Sequence, residues 1–324
     1  MKHILRPLAA CALAALSAFA SAQGSFPNKP VRLIVPAAAG GTTDLLARAL
    51  GQRLSVVWGQ PVIVDNRPGA NQIIGADAVA KAAPDGYTLL VSDVSTFAIN
   101  PHLYRKLPYD SLRDFTPITT IGTASPVIAV ASNVEAKNLR ELILLAKSRP
   151  DALSYGSMGA GSYAHIATEE MKMMGGMNIQ HIPYKGASPA IADLVAGNIS
   201  MMLVNASGLI QQQKAGKVRI IAAATPKRLA QFPDLPTASE SGMPGFSANT
   251  WFGVVGPAKM DKAVLAKLNK DIVKIVQSAD YREGALIPNT VEPMTQSPVQ
   301  FRELIKSDLE RWKGLVAASG AKLD

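Results

Sequence analysis

Cysteine is almost missing from this chain: Cys11 is the single one in 324 residues. It sits in a segment with the order of a secretory signal. Lys2 and Arg6 supply positive charge, Leu8 to Ala20 is almost wholly small and apolar, and Ala20-Ser21-Ala22 offers small residues where a signal peptidase reads them. Cleavage after Ala22 is expected, so residues 1–22 are assigned as signal and the mature chain begins at Gln23. Leu8-Ala9-Ala10-Cys11 resembles a lipobox, but it lies close to the charged region, and cleavage there would leave an apolar tail. The apolar run is also shorter than the roughly 20 residues that span a bilayer. With Cys11 removed, no internal disulfide can form, although export would allow one. Stability must come from burial, and a chain that is 48% hydrophobic can build one large core or two medium ones.

Basic runs are lacking too. The formal charge is +9, or +7 without Lys2 and Arg6, and it is spread along the chain. Nucleic-acid binding would want clustered Lys and Arg with interleaved aromatics, so no nucleic-acid partner is expected. A diffuse positive field suits an anionic ligand or a membrane surface. Beyond the signal, no apolar stretch is long enough for a transmembrane helix. Short-period repeats and low-complexity segments are absent.

Catalytic patterns are equally scarce. A nucleophile needs Ser or Cys beside a positioned His and an acid. The mature histidines are His102, His165 and His181, and none sits in a G-x-S-x-G elbow. Gly156-Ser157-Met158-Gly159 comes near that pattern but has the wrong length. His165 and His181 lack the short spacing of metal ligands, and there is no Walker lysine. The expectation is a chain with no catalytic residues, no metal and no cofactor.

What is present is alternation. Val31 to Val35 reads as a strand, then a loop runs to Thr43. A helix follows from Asp44 with Leu46, Leu50, Leu54 and Val57 on one stripe, closed by Gly59. Val62 to Val64 and Thr88 to Val91 are further strands, separated by a helix through Ala76 to Ala82. The pattern restarts with strands at Val127 to Val130, Leu153 to Gly156, Ile179 to Ile182, Met201 to Val204, Val218 to Ala223 and Trp251 to Val255. Helices are expected after Asn138, from Ser162 to Met174, after Ser188-Pro189, from Lys262 to Gln277 and from Ser297 to Ala318. Strands separated by helices imply crossovers and mostly parallel sheets. There is more material than one compact sheet holds, so two α/β lobes are expected.

Two loops stand out. Gly40-Gly41-Thr42-Thr43 and Gly159-Ala160-Gly161-Ser162 each follow a strand and open a helix. Such places offer free N–H groups, the positive helix end and hydroxyls, and glycine allows close approach. In an open sheet they lie at the carboxyl ends of the strands, where ligands bind. Ordinary helix capping by Thr43 and Ser162 would explain them as well.

At these residues the chain resembles the periplasmic receptors of tripartite tricarboxylate transporters, the Bug receptors. The matching stretches are Val35-Pro36 with Gly40 to Asp44, Asn66 to Ala70, Lys81 to Leu90, Ile99-Asn100-Pro101 through Leu107-Pro108-Tyr109-Asp110, Pro183 to Gly186 with Pro189-Ala190 and Asp193-Leu194, Lys214 to Lys217, and Pro236-Thr237 through Gly242 to Phe246. They run in order over nearly the whole mature chain. The resemblance implies a two-lobe periplasmic binding protein fold, type II-like, with crossovers near Ile121-Gly122 and Pro244-Gly245. Residues 23–122 and 246–324 would then form one lobe and 123–245 the other. It also implies a periplasmic location, a small carboxylate ligand held between the lobes, and a membrane permease or sensor as partner. A monomer is expected.

Carried over residue by residue, the resemblance places Gly40, Gly41, Thr42 and Thr43 in a ligand-binding loop, with Asn71 after the second loop and Ser95 and Thr96 after the third strand. In the other lobe it implies Gly161, Ser162, His165, Tyr184, Lys185 and Asn205. The departures are Ala37 where the family's loop usually carries an aromatic, Ala38 and Ala39 where it has a proline, and Val204 where many members have an acid. These favour a roomier pocket and a mono- or dicarboxylate without an amine, unless Asp193 or another acid turns into the cleft. Three functions stay open: a transport receptor, a receptor that signals through a membrane sensor, and an enzyme on the same scaffold.

Overall fold

The computed structural model describes Phe26 to Ala321 and Leu323. The expected signal segment and its cleavage site lie outside the described residues. The chain opens with β1 (Val31–Val35), whose side chains divide between two cores: Ile34 enters one, while Val31, Leu33 and Val35 enter the other. That division is the period-2 alternation of a strand covered on both faces. Helix α1 (Thr42–Trp58) follows, burying Leu46, Ala47, Leu50 and Leu54 and ending at Gly59 in a left-handed conformation, φ 62°. Next come β2 (Val62–Asn66), α2 (Ile73–Ala80), β3 (Thr88–Asp93), a π-helical turn (Ser95–Ile99), α3 (Asn100–Leu103) and β4 (Phe115–Ala124).

Ser125 alone separates β4 from β5 (Pro126–Ala131), which belongs to a second sheet. That sheet is built with α4 (Leu139–Ser148), β6 (Ser154–Ser157), α5 (Tyr163–Gly175), β7 (Gln180–Pro183), α6 (Ala187–Ala196), β8 (Met201–Asn205), α7 (Ile210–Lys214) and β9 (Val218–Ala223). The chain then returns through β10 (Trp251–Pro257), α8 (Lys262–Val276), α9 (Ala279–Tyr281), β11 (Val291–Glu292) and α10 (Pro298–Ser319).

The strand orders are β11-β4-β10-β3-β1-β2 and β7-β6-β8-β5-β9. The two-lobe α/β architecture expected from the sequence is the one observed, and within it both sheets are mixed. Pairing is parallel in β3-β1-β2 and in β7-β6-β8. It is antiparallel where β10 returns between β3 and β4, where β11 adds to β4, and where the crossing strand β5 meets β8 and β9. A strand that carries the chain between lobes has no crossover helix to set it parallel to its neighbours.

Local side-chain caps open several of the helices. Asn138 caps α4 by accepting from Glu141 N, and Ser297 with Gln300 forms a capping box on α10. Helix α6 differs from expectation. It begins at Ala187, directly after Gly186 at φ 125°, so Ser188 lies inside the first turn and does not cap it. Helix α10 contacts both lobes: it packs on the π-helical turn and β4 of the first and on α5 of the second. Trp312, 1% exposed, and Phe301, which meets the Trp251 ring edge-on at 5.0 Å, anchor it.

Candidate functional site

The β1–α1 loop is shaped by Asp44, which is 1% exposed. Its Oδ2 accepts from Gly40 N at 2.9 Å and from Arg48 Nε at 3.0 Å, and its Oδ1 accepts from Asn66 Nδ2 at 2.9 Å. Burial pushes the Asp44 carboxyl up, but the bonds from Arg48, Gly40 and Asn66 outweigh it and hold the group below the usual carboxylate range. Gly40 is left-handed at φ 83°, while Gly41, at φ −77°, is in an ordinary conformation. No side chain caps α1. Its first-turn N–H groups and the positive helix end therefore lie beside an exposed loop of Ala38 to Gly41. Thr42 is half-buried and Thr43 is 7% exposed.

Three consecutive non-glycine residues after β2 take positive φ: Ala70 at 44°, Asn71 at 49° and Gln72 at 75°. Such a run persists only where surrounding groups over-determine it. Two amides do so here. Asn71 Nδ2 donates to Asn100 Oδ1 at 2.8 Å, and Asn100 Nδ2 donates to Asn71 O at 2.8 Å. Gln72 Oε1 accepts from Ser92 Oγ at 2.8 Å and Thr96 Oγ1 at 2.7 Å, which turns Gln72 Nε2 toward both oxygens of Asp93, at 3.2 and 3.1 Å. Ser95 N also donates to Asp93 Oδ1, at 2.8 Å. Thr96 is fully buried and its hydroxyl is engaged by Gln72, so it supports the loop from beneath. Ser95 is 3% exposed at the start of the π-helical turn.

In the second lobe, Ser162 caps α5 by accepting from His165 N, and Gly161 N donates to His165 Nδ1 at 3.0 Å. The His165 ring stacks on His181 with centroids 4.0 Å apart, and Tyr155 continues the stack. His165 thus lies behind the loop and holds it. Burial lowers the pKa of His165, and burial together with His165 takes His181 down to about 4. His181 Nε2 meets Ser157 Oγ at 2.7 Å. This is not a nucleophile and base in working order: Ser157 is fully buried, and no carboxylate hydrogen-bonds either imidazole among the described residues.

The remaining expected residues are dispersed. Tyr184 Oη donates to Asp193 Oδ2 at 2.6 Å within its own lobe, and Asp193 also accepts from Asn198. Lys185 is exposed. Asn205 is engaged at the junction between lobes: its Nδ2 donates to Asn289 O at 2.7 Å and its Oδ1 accepts from Thr290 Oγ1. Asn71 and Gly161 come together across the lobes, Asn71 Nδ2 donating to Gly161 O at 3.4 Å. A Cβ on Gly161 would stand 2.6 Å from Leu103 Cδ1 and 2.9 Å from Leu323 Cδ1. The Asn71–Gly161 contact brings an amide of the first lobe to a helix start of the second. Sequence reading missed Asp44, Gln72, Asp93 and Asn100. The adjacent amides Asn71-Gln72 and an acid ending a strand were the available signals.

No group of three or more His, Cys, Asp or Glu that could hold a metal occurs among the described residues. No described helix is long and apolar enough to cross a membrane. A groove of about 510 Å³ lined by Phe26, Val57, Trp58, Val264 and Lys267 lies at the carboxyl end of α1. A helix rises about 1.5 Å per residue, so this groove is roughly 25 Å from the loop at the helix start and is separate from the site.

Residues 46–321 match the model of the tripartite tricarboxylate transporter family receptor. The chain belongs to this receptor family. It is 36% identical to the protein BugT of Bordetella pertussis over 300 residues, covering 92% of each chain. Among solved structures, Rpa4515 of R. palustris with adipate superposes with a TM-score of 0.87 at 33% identity, covering 92% of this chain and 100% of that one. MatC (Rpa3494) from Rhodopseudomonas palustris with bound malate gives 0.81 at 29% identity, covering 90% and 100%. The periplasmic binding protein BugD gives 0.83 at 31%, covering 92% and 99%. The two-lobe receptor fold is therefore shared with proteins solved around dicarboxylates.

Proposed function

We propose that this chain is a periplasmic receptor that takes a small carboxylate between its lobes and delivers it to a membrane permease. The observation that carries this reading is the contact of Asn71, in the same lobe as the Gly40–Thr43 helix start, with Gly161 at the Gly161–Ser162 helix start of the other lobe, in a family whose solved members hold adipate and malate. Main-chain N–H groups at these starts, with the hydroxyl of Thr43, would hold the carboxylate. Thr42, Asn71 and Ser95 would line the same cleft, with Ser162, Tyr184 and Lys185 at the opposing wall. Thr96, His165 and Asn205 would support it indirectly. Residues 23–122 and 246–324 would move as one body against 123–245, and a ligand touching both would favour the closed form.

The mature receptor would begin at Gln23, act as a monomer and return its ligand unchanged. Mass spectrometry of the small molecules released from a denatured preparation tests the reading. A stoichiometric carboxylate, recovered intact after incubation and raising the melting temperature when added back, is expected. Turnover of that molecule would mark an enzyme. Delivery to a sensor would be favoured if deleting the receptor left uptake intact but abolished a transcriptional response.

A further inference from the structure

We infer that Asp93 is a specificity-determining residue: the ligand taken between the lobes carries, beside its carboxylate, a hydrogen-bond donor, an ammonium or a hydroxyl, which Asp93 accepts. The inference rests on the receptor reading above and names the ligand class for it.

Asp93 is the last residue of β3, at the carboxyl edge of the first sheet, and is half-buried. Its partners among the described residues are Ser95, through both N–H and side chain, and the Gln72 amide, all neutral. No lysine, arginine or histidine pairs with it among the described residues. Burial raises its pKa despite these bonds. These donors are neutral, so no cation among the described residues balances a charge here. Gln72 is also not free to choose its orientation. Its oxygen is taken by two hydroxyls, which leaves its Nε2 to face Asp93.

The second observation comes from the other lobe. Tyr163, the first residue of α5, is 8% exposed, and its hydroxyl has no partner among the described residues. Tyr163 lies two residues after Gly161, whose carbonyl meets Asn71, and Asn71 adjoins Gln72, the partner of Asp93, so the two groups sit on either side of the same contact between lobes. Buried polar groups in folded proteins are nearly always paired. Here a carboxylate with unfilled capacity and an orphaned hydroxyl belong to opposite lobes beside the loops that would hold the ligand. A dicarboxylate with no donor would set its charge against that of Asp93 in a poorly solvated place. A ligand with an amine or hydroxyl would satisfy Asp93, while Tyr163 Oη donates to a ligand oxygen.

Matched trios test this: succinate, malate and aspartate; glutarate, 2-hydroxyglutarate and glutamate; 3-phenylpropionate, phenyllactate and phenylalanine. Affinities would be measured by calorimetry on the mature protein and on Asp93→Asn. In at least one trio a donor-bearing member is expected to bind about tenfold or more tighter than the unsubstituted acid, the scale of one charge-assisted bond. Asp93→Asn should erase that preference and leave the unsubstituted acid bound as well or better. An ammonium ligand should lose more than a hydroxyl ligand, because asparagine still accepts a hydroxyl. If the unsubstituted acids bind the parent as tightly as their partners, the inference fails and the receptor reading stands. If no carboxylate binds, both fail. Should Asp93→Asn not fold, the comparison within the parent decides, and Tyr163→Phe is expected to weaken the preferred ligand about tenfold. Unchanged affinity there would also overturn the inference.

Discussion

Asn205, at the end of β8 in the second lobe, donates from Nδ2 to the main-chain carbonyl of Asn289 in the first, at 2.7 Å. The Asn205 oxygen accepts from Thr290 Oγ1, which itself accepts from Ser207 N at 3.1 Å. Replacing Asn205 by alanine leaves the buried Thr290 hydroxyl with a donor unmet. Asn205→Ala is expected to lower stability by about 1–3 kcal/mol in chemical denaturation. Ligand affinity measured well below the transition should change little. A large loss of affinity at unaltered stability would put this side chain in the binding site instead.

The two glycines of the first loop separate backbone strain from ligand approach. At Gly41 a Cβ would meet only Ala38 O, at 3.7 Å, and φ is ordinary. At Gly40 space is open, but φ is 83°. Gly41→Val should cost no more than about 1 kcal/mol, through a poorer helix N-cap, and weaken carboxylate binding by blocking access to the helix start. Gly40→Ala should cost about 1 kcal/mol of stability. Full affinity in Gly41→Val would move the carboxylate site elsewhere.

Gly161 faces the opposite lobe. A methyl group there collides with Leu103 and Leu323, both beyond its own lobe, in addition to the strain of φ 76°. Gly161→Ala is expected to shift the protein toward an open form, with a larger scattering radius and weaker ligand binding. Leu103→Ala should partly restore compaction by vacating the space. An unchanged radius in Gly161→Ala would show that this contact does not set the separation of the lobes.

Stability should fall in mild acid through the imidazole stack. Burial and the neighbouring His165 hold His181 at about 4, against about 6.5 in an unfolded chain. Between those values the unfolded chain binds a proton that the folded chain does not. The contribution is therefore complete above pH about 6.5 and is lost as the pH falls toward 4, a change of at most about 3 kcal/mol before solvent screening reduces it. Denaturation curves at pH 7.5, 5.5 and 4.5 measure it, and His181→Gln should flatten the dependence. Superimposable profiles for parent and variant would sink this account.

The β1–α1 loop has its own acid dependence. Asp44 gathers Gly40, Arg48 and Asn66, and its pKa lies below the ordinary value. It stabilises the fold above the unfolded carboxylate pKa, and that contribution disappears as the pH falls through the lower folded value. Asp44→Asn should cost about 1–3 kcal/mol and weaken carboxylate binding, because Gly40 and Arg48 lose a charged acceptor. Calorimetry on the folded variant reads the binding loss separately from the stability loss.

The sequence by itself determined what neighbours along the chain decide. The apolar stripe of Leu46, Leu50 and Leu54 makes α1, and Asn138, Ser162 and Ser297 cap their helices through bonds three residues long. Strand β4 was less legible: Pro117 interrupts it, and burial on both faces removes alternation. Tertiary structure alone decided which polar groups are free. Asn71 finds Asn100 29 residues away, Asn205 finds Thr290 85 residues away, and His165 turns behind its loop to stack on His181. Among the described residues it also left Asp93 without a cation and Tyr163 without a partner. Caps and stripes are local because a helical turn spans under four residues. Pairing of a side chain amide, hydroxyl or carboxylate depends on what packing brings within about 3 Å, and no spacing in the sequence encodes that distance.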